Sequence, residues 1–240
     1  MIESVNNKKI KEYAKLHLKK ERDKQRLFII EGKHMIEEAL KAKSLYALYL
    51  LDGVDNPFDF ECEHATQEVL NKLSNQTSNA KMIGVCKKLN YIQANEKHII
   101  LLDTVQDPGN VGTIIRSAYS FGYDCVYLSK GCADIYNPKT IQASQGALFH
   151  IPCIQTELKD KIESLDMETY ATALNNKHIN LQDAHPKDEY AILLGNEGEG
   201  IHPELIDLCD YTVKIEMDTF ESLNVAIAAS ICMYTFKHKD

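Results

Sequence analysis

Residues 98–102 read His-Ile-Ile-Leu-Leu, an apolar run with no alternation. A half-exposed strand alternates apolar and polar residues, so this run suits a strand covered on both faces, as in a parallel sheet. Further strand candidates follow at 125–128, 170–174, 191–194 and 211–215. Helical patterns separate them at 111–121, 138–148, 157–165, 203–209 and 223–236. Strand and helix in alternation predict an α/β domain with a parallel sheet and a ligand site at the carboxyl ends of its strands.

The chain before this point has a different rhythm. Helical spacing runs over 8–20, with Ile10, Tyr13, Ala14 and Leu18 on one face. A short strand at 27–30 is broken by Gly32, and a helix resumes over 34–42. Strands at 45–51 and 82–86 flank a helix at 66–73, with turns or loops at 55–57 and 74–79. A polar connector, 87–97, leads into the apolar strand, which divides the chain into residues 1–95 and 96–240. No internal repeat or low-complexity segment is present.

Composition narrows the class. Of 240 residues, 44% are hydrophobic and 26% charged, as in an ordinary folded protein. The N-terminus is polar and no apolar run reaches the length of a membrane span. Seven cysteines form no CxxC pair, which fits a reduced cytoplasmic protein without a metal site better than a disulfide framework. The net charge is −8, yet residues 8–43 hold twelve Lys and Arg against six carboxylates. That asymmetry fits either a basic arm on an acidic body or a solvated amphipathic helix.

Three blocks carry chemistry. In the first, residues 107–112 read Asp-Pro-Gly-Asn-Val-Gly after the apolar strand. Asp107 and Pro108 suit a helix start, and Arg116 falls on the small, polar face of the helix. Taken singly, this block fits a surface ion pair at Arg116 as well as a ligand. In the second, Gly195-Asn-Glu-Gly198-Glu-Gly200 follows a buried strand. Its spacing is neither the dinucleotide fingerprint nor a P-loop, which disfavours an ordinary nucleotide-binding oxidoreductase. Glu197 and Glu199 repel phosphates and suit a neutral or cationic ligand. A tight turn before a helix is the alternative. In the third, Ser222 is placed as N-cap of an almost wholly apolar helix, which must be buried in the core or against a second subunit.

Together, Asn110 and Arg116, the Gly-Asn-Glu-Gly-Glu-Gly run, and Ser222-Leu-Asn224-Val resemble the SpoU (TrmH-like) family of S-adenosylmethionine-dependent RNA ribose methyltransferases, in the SPOUT superfamily. Ser144 and Gly146-Ala147 match a further family segment, and the likeness covers about residues 97–236. The N-terminal run Leu-Phe-Ile-Ile-Glu-Gly, followed by a helix, more loosely resembles the RNA-binding domain related to ribosomal protein L30e. The resemblance implies a C-terminal trefoil knot, a homodimer packed partly through the last helix, and methylation of a ribose 2′-hydroxyl, in ribosomal rather than transfer RNA. The alternatives are a transfer-RNA 2′-O-methyltransferase and a non-catalytic RNA-binding ribosome-assembly factor of the same fold.

The resemblance further implies roles. Asn110, Arg116, Ser222 and Asn224 are the catalytic set. Ser144, Gly146, Leu194, Gly195, Asn196, Glu197, Gly198, Ile215, Met217 and Leu223 bind S-adenosylmethionine. Where the family has proline, this chain has Glu216, at a cost in loop rigidity. Arginine is effectively always protonated, so Arg116 suits orienting the ribose or its phosphate and stabilising developing negative charge. Asn110 and Ser222 fix Arg116 and the nucleotide. Lys8, Lys9, Lys11, Lys15, Lys19, Lys20, Arg22 and Lys24 are expected to neutralise RNA phosphates and give salt-dependent affinity.

Overall fold

The computed structural model describes residues 1–74, 79–91, 96–173, 178–219 and 222–239. Residues 75–78 of the expected 74–79 loop, 92–95 of the connector and residue 174 of the expected fourth strand lie outside the described residues. Two compact units are present: Met1–Asn90 with Tyr136–Ile141, and Tyr91–Ile135 with Gln142–Asp240.

In the first unit, α1 (Lys8–Ala14) starts at Asn7, whose side chain accepts from the Lys9 amide at 2.9 Å. The expected single helix over 8–20 is broken. After a 3-10 turn (Lys15–His17), Leu18 is extended, and α2 (Lys19–Gln25) starts afresh. The Arg22 guanidinium donates to the carbonyls of Leu16 and His17 at 2.8 and 2.9 Å, satisfying groups that a continuous helix would have bonded itself. Then follow β1 (Leu27–Glu31), α3 (Lys33–Lys41), β2 (Leu45–Leu51), β3 (Glu63–Ala65), α4 (Gln67–Leu73) and β4 (Met82–Lys87). The sheet order is β1-β4-β2-β3, with β4 antiparallel to both neighbours. The three-residue β3, too short and polar to read from sequence, pairs parallel with β2. Ile10, Leu16, Ile29, Tyr49, Leu70 and Val85 share its core. Tyr136 belongs here because its ring lies 4.7 Å from that of Phe28 and its hydroxyl accepts from the Leu89 amide at 2.9 Å. A single cut near residue 95 misses that return of the chain.

The second unit contains β5 (His98–Leu102), α5 (Pro108–Ser120), β6 (Cys125–Leu128), α6 (Pro138–Ser144, its first turn in the first unit), β7 (Cys153–Gln155), α7 (Leu158–Glu163), β8 (Glu168–Thr172), β9 (Ile179–Asn180), β10 (Tyr190–Leu194), α8 (Pro203–Ile206), β11 (Tyr211–Lys214) and α9 (Val225–Lys237). Seven strands run in the order β7-β6-β5-β10-β8-β11-β9, and every pairing is parallel. The fold is therefore α/β with a parallel sheet, as the apolar runs predict. β5 and β10 are paired neighbours inside it, and Ile99–Leu102 and Tyr190–Leu194 are buried throughout. The expected helix over 138–148 stops at Ser144, since Gln145 and Gly146 take φ of +48° and +90°. A 3-10 turn, Ala147–Phe149, follows.

All seven cysteines are free. Burial pushes the Cys125, Cys209 and Cys232 thiols up to about 12, which keeps them protonated and unreactive near neutral pH. Among the described residues no helix is long and apolar enough to cross a membrane.

Candidate functional site

The three blocks meet at the carboxyl ends of β5, β10 and β11. Asp107 caps α5 by accepting from the Asn110 amide at 2.8 Å, and Pro108 occupies the first turn. The cap sets Asn110 at the head of the helix. Its Nδ2 donates to Glu197 Oε1, and its Oδ1 accepts from Asn224 Nδ2 at 3.0 Å. One side chain from each block thus enters a continuous chain, Glu197–Asn110–Asn224.

The glycine block after β10 closes on itself through reciprocal backbone bonds between Asn196 and Gly200 at 2.9 and 3.0 Å. Backbone meets backbone so tightly that a Cβ on Gly195 would fall 2.3 Å from the Gly200 carbonyl carbon. No side chain fits there. Asn196 ties the loop down from both sides of its amide. Its Nδ2 donates to the Thr104 carbonyl at 2.9 Å, and its Oδ1 accepts from the Gly198 amide at 2.7 Å.

The third block differs from expectation at its cap. Asn224, not Ser222, is the N-cap of α9, its Oδ1 accepting from Ala226 and Ile227 at 2.9 and 3.3 Å. Asparagine caps as well as serine, and here the same side chain also reaches Asn110. Ser222 instead stands exposed on the rim of the cavity described next.

A cavity of about 510 Å³ opens between the block after β10 and the segment after β11. Leu194, Gly195, Asn196, Glu197, Gly198, Ile215, Met217, Ser222 and Leu223 line it, as do Thr172 and Val213, which sequence reasoning passed over. Ser144 and Gly146 do not line it: Ser144 is fully buried at the end of α6, and Gly146 is buried at the following turn. Glu216, at the family's proline position, is held from outside, accepting from Asn180 Nδ2 at 2.9 Å.

Arg116 is exposed on α5, and among the described residues its guanidinium has no hydrogen bond or ion pair. At ~1.5 Å per residue, it lies roughly 9 Å along the helix axis from Asn110. Among the described residues it makes no hydrogen bond to Asn110 or Ser222, so the expected fixing of its side chain by them is not through hydrogen bonds in this arrangement. Among the expected phosphate contacts in the first unit, the seven lysines are exposed. Arg22 is 3% exposed and bonded to backbone carbonyls, which makes it a structural residue.

Sequence reasoning missed a clamp beneath the glycine loop. Asp103, buried at the end of β5, accepts from the His202 amide at 2.9 Å and from His202 Nδ1 at 2.7 Å. The Asp103 hydrogen bond and charge raise the His202 pKa above its ordinary value, against a small opposing desolvation. An acid directly after a buried parallel strand is the signal that points to it.

Comparison with known proteins places this arrangement. The model of the SpoU rRNA Methylase family matches residues 97–234, and that of the MRM3-like substrate binding domain matches residues 7–84. The chain belongs to the SpoU rRNA methylase family. Among relatives, a Bacillus subtilis protein named 23S rRNA (guanosine(2553)-2'-O)-methyltransferase RlmP is 37% identical over 242 residues, covering 97% of each chain. A solved RNA 2'-O ribose methyltransferase superposes with a TM-score of 0.84 at 29% identity, covering 98% of this chain and 96% of its own. An AdoMet-bound rRNA methyltransferase from Sinorhizobium meliloti superposes with a TM-score of 0.88 at 24% identity, with coverage of 98% and 96%. The SpoU match spans the α/β unit that carries all three blocks.

Proposed function

We propose that the chain transfers the methyl group of S-adenosylmethionine to a ribose 2′-hydroxyl of ribosomal RNA. The observation that carries this reading is the Glu197–Asn110–Asn224 chain, which joins the three blocks beside one cavity. The cavity suits the donor. Gly195 lets the loop close on the Gly200 backbone at the cavity wall, Glu197 supplies negative charge toward a sulfonium, and Leu194, Ile215, Met217 and Leu223 offer apolar wall for an adenine. When bound, S-adenosylmethionine supplies an electrophilic methyl group.

The protein's part is positioning. Asn110 holds the Glu197 carboxylate in place and couples it to the head of α9. Arg116, with no partner among the described residues, orients the ribose or its flanking phosphate and stabilises negative charge on the oxygen as its proton leaves. Ser222, on the cavity rim, contacts the incoming nucleotide. The exposed lysines Lys8, Lys9, Lys11, Lys15, Lys19, Lys20 and Lys24 take RNA phosphates without reading sequence.

In this reading the C-terminal part of the second unit is a trefoil knot whose loops hold the donor. The exposed stripe Ile227, Ile231 and Tyr234 on α9 packs against a second copy, giving a homodimer. The first unit, with its four-stranded sheet, is an L30e-like RNA-binding domain, and the acceptor places the protein in the cytoplasm. The test is transfer of radiolabelled methyl to unmethylated 23S rRNA, scored by alkali-resistant dinucleotides. Donor binding without any transfer to ribosomal RNA would overturn the reading in favour of a non-catalytic factor.

A further inference from the structure

Away from the donor cavity, the first unit contains a second, differently built pocket. Strand β2 carries one extra residue against β4: Leu45 pairs with Cys86 and Ala47 with Val85, leaving Tyr46 in the bulge. Bulges re-aim a side chain, and Tyr46 is left 50% exposed. The Lys87 ammonium lies 5.5 Å from its ring centroid. Arg26, which ends α2, adopts φ +57° and ψ +33°, a backbone conformation that non-glycine residues take rarely and that clusters at functional sites. Asn90 accepts from its guanidinium at 2.9 Å.

These residues, with Gln25 and Lys88, line a cavity of about 380 Å³, within the roughly 300–1,000 Å³ range of small-ligand sites. The lining includes three cations and no carboxylate, in a chain of net charge −8. Lys88 is neutralised by Asp23 at 2.5 Å, which leaves Arg26 and Lys87 to act on a ligand. An accessible aromatic face beside two cations fits one ligand chemistry. A nucleobase stacks on the ring while its phosphates meet the cations. Bases inside a duplex do not offer their faces, so the nucleotide is unpaired.

We propose that Tyr46, Lys87 and Arg26 form a binding site for a single unpaired nucleotide of the RNA acceptor, anchoring it on the first unit. This rests on the RNA-methylating reading above, and none of the three residues belongs to the basic series at 8–24. Arg26 is held in its strained conformation to present the guanidinium to the pocket, and the bulge presents the ring.

The test uses the full-length protein with Tyr46→Ala, Tyr46→Phe and the pair Arg26→Gly with Lys87→Ala. Glycine takes φ +57° without strain, so this pair removes both cations and leaves the backbone at ease. Two readouts are taken: KM and kcat with unmethylated 23S rRNA, and affinity for fluorescein-labelled dodecaadenylate by anisotropy. Loss of one stacked base costs roughly 5- to 160-fold in binding. Tyr46→Ala is therefore expected to weaken dodecaadenylate binding and raise KM about tenfold, with kcat unchanged and Tyr46→Phe near wild type. The cation pair is expected to lower the log–log salt slope of binding by about 1.4. Unchanged KM and unchanged oligonucleotide affinity in a folded Tyr46→Ala protein would overturn the proposal; a pocket serving a protein partner gives that result. Should the wild type methylate no ribosomal RNA, the catalytic reading fails, and the oligonucleotide arm still decides the pocket by the same criterion.

Discussion

Asn224 donates its side-chain amide to Asn110 at 3.0 Å while its carbonyl oxygen caps α9. One residue therefore serves both the last helix and the link between blocks, and its two jobs are separable by substitution. Aspartate caps a helix as well as asparagine does but, ionised, cannot donate. Asn224→Asp is expected to keep the thermal midpoint of the wild type while methyl transfer falls at least tenfold, because its carboxylate then faces the Asn110 carbonyl oxygen near Glu197. Asn224→Ala loses both roles and is expected to cost about 0.5–2 kcal/mol of stability as well. Thermal denaturation beside single-turnover methyl transfer separates the two. Equal loss of stability in both variants would refute the division of labour.

Gly195 and Gly200 lie on the same loop but answer differently to alanine. At Gly195 the added Cβ meets Gly200 backbone at 2.3–2.4 Å, which no side-chain movement relieves. At Gly200 there is open space, and the only cost is a φ of +75°, roughly 1–2 kcal/mol. Gly195→Ala is expected to abolish S-adenosylmethionine binding by calorimetry and to lower Tm, while Gly200→Ala retains binding with a modest Tm loss. Intact donor binding in Gly195→Ala would contradict the packed loop.

The His202–Asp103 clamp predicts a pH dependence of known sign. Asp103 raises the His202 pKa in the folded state above its ordinary 6.5. The folded state thus binds the proton more tightly, and the clamp contributes its full stabilisation below about pH 6.5, losing it as pH rises through the folded pKa. The His202 ring is half exposed, so solvent screens the contribution. His202→Gln is expected to lower the Cm in urea more at pH 5.5 than at pH 9. A gap between wild type and variant that is flat or grows with pH would exclude the clamp as a titrating element.

The parallel sheet was legible because β5 and β10 are buried on both faces, which strips the alternation from residues 98–102 and 190–194. Local chemistry was legible where it repeats a standard device, as at the helix cap Asp107. What escaped depends on long-range partners. The break at Leu18 follows from Arg22 reaching back to Leu16 and His17, which helical spacing alone does not reveal. The cap at Asn224 rather than Ser222 is set by Asn110, 114 residues away in sequence. The short strands β3, β7 and β9 carry no pattern of their own and exist only because a neighbouring strand offers an edge. Family likeness named the blocks, but not the Glu197–Asn110–Asn224 chain that joins them.

The apolar helix α9 buries Val225, Ala226, Ala229, Cys232, Met233 and Phe236 and leaves Ile227, Ile231 and Tyr234 out. Positions i, i+4 and i+7 form one stripe, and a charge placed there costs little in the monomer but much in an interface. Ile227→Lys with Ile231→Glu is expected to convert a dimer to a monomer in sedimentation velocity, with Tm of the monomer otherwise preserved. A wild type that sediments as a monomer at micromolar concentration would remove the proposed dimer altogether.

Arg116 offers the sharpest test of the catalytic reading. It is exposed, and no side chain among the described residues engages it. Removing it therefore leaves no carboxylate unpaired and no cavity behind, and surface substitutions of that kind shift stability by about 0.5 kcal/mol or less. Arg116→Ala is expected to fold normally and bind S-adenosylmethionine as the wild type does, since Arg116 is absent from the cavity lining. Methyl transfer to 23S rRNA is expected to fall by 100-fold or more, the roughly 10²–10³ effect of losing one preorganised charge-stabilising donor. Arg116→Lys keeps the charge but not the planar fork, and recovers only part of the rate. A variant that transfers methyl at near-normal rate would return Arg116 to the surface, and the group that stabilises the developing negative charge would have to be sought elsewhere along the α5 face.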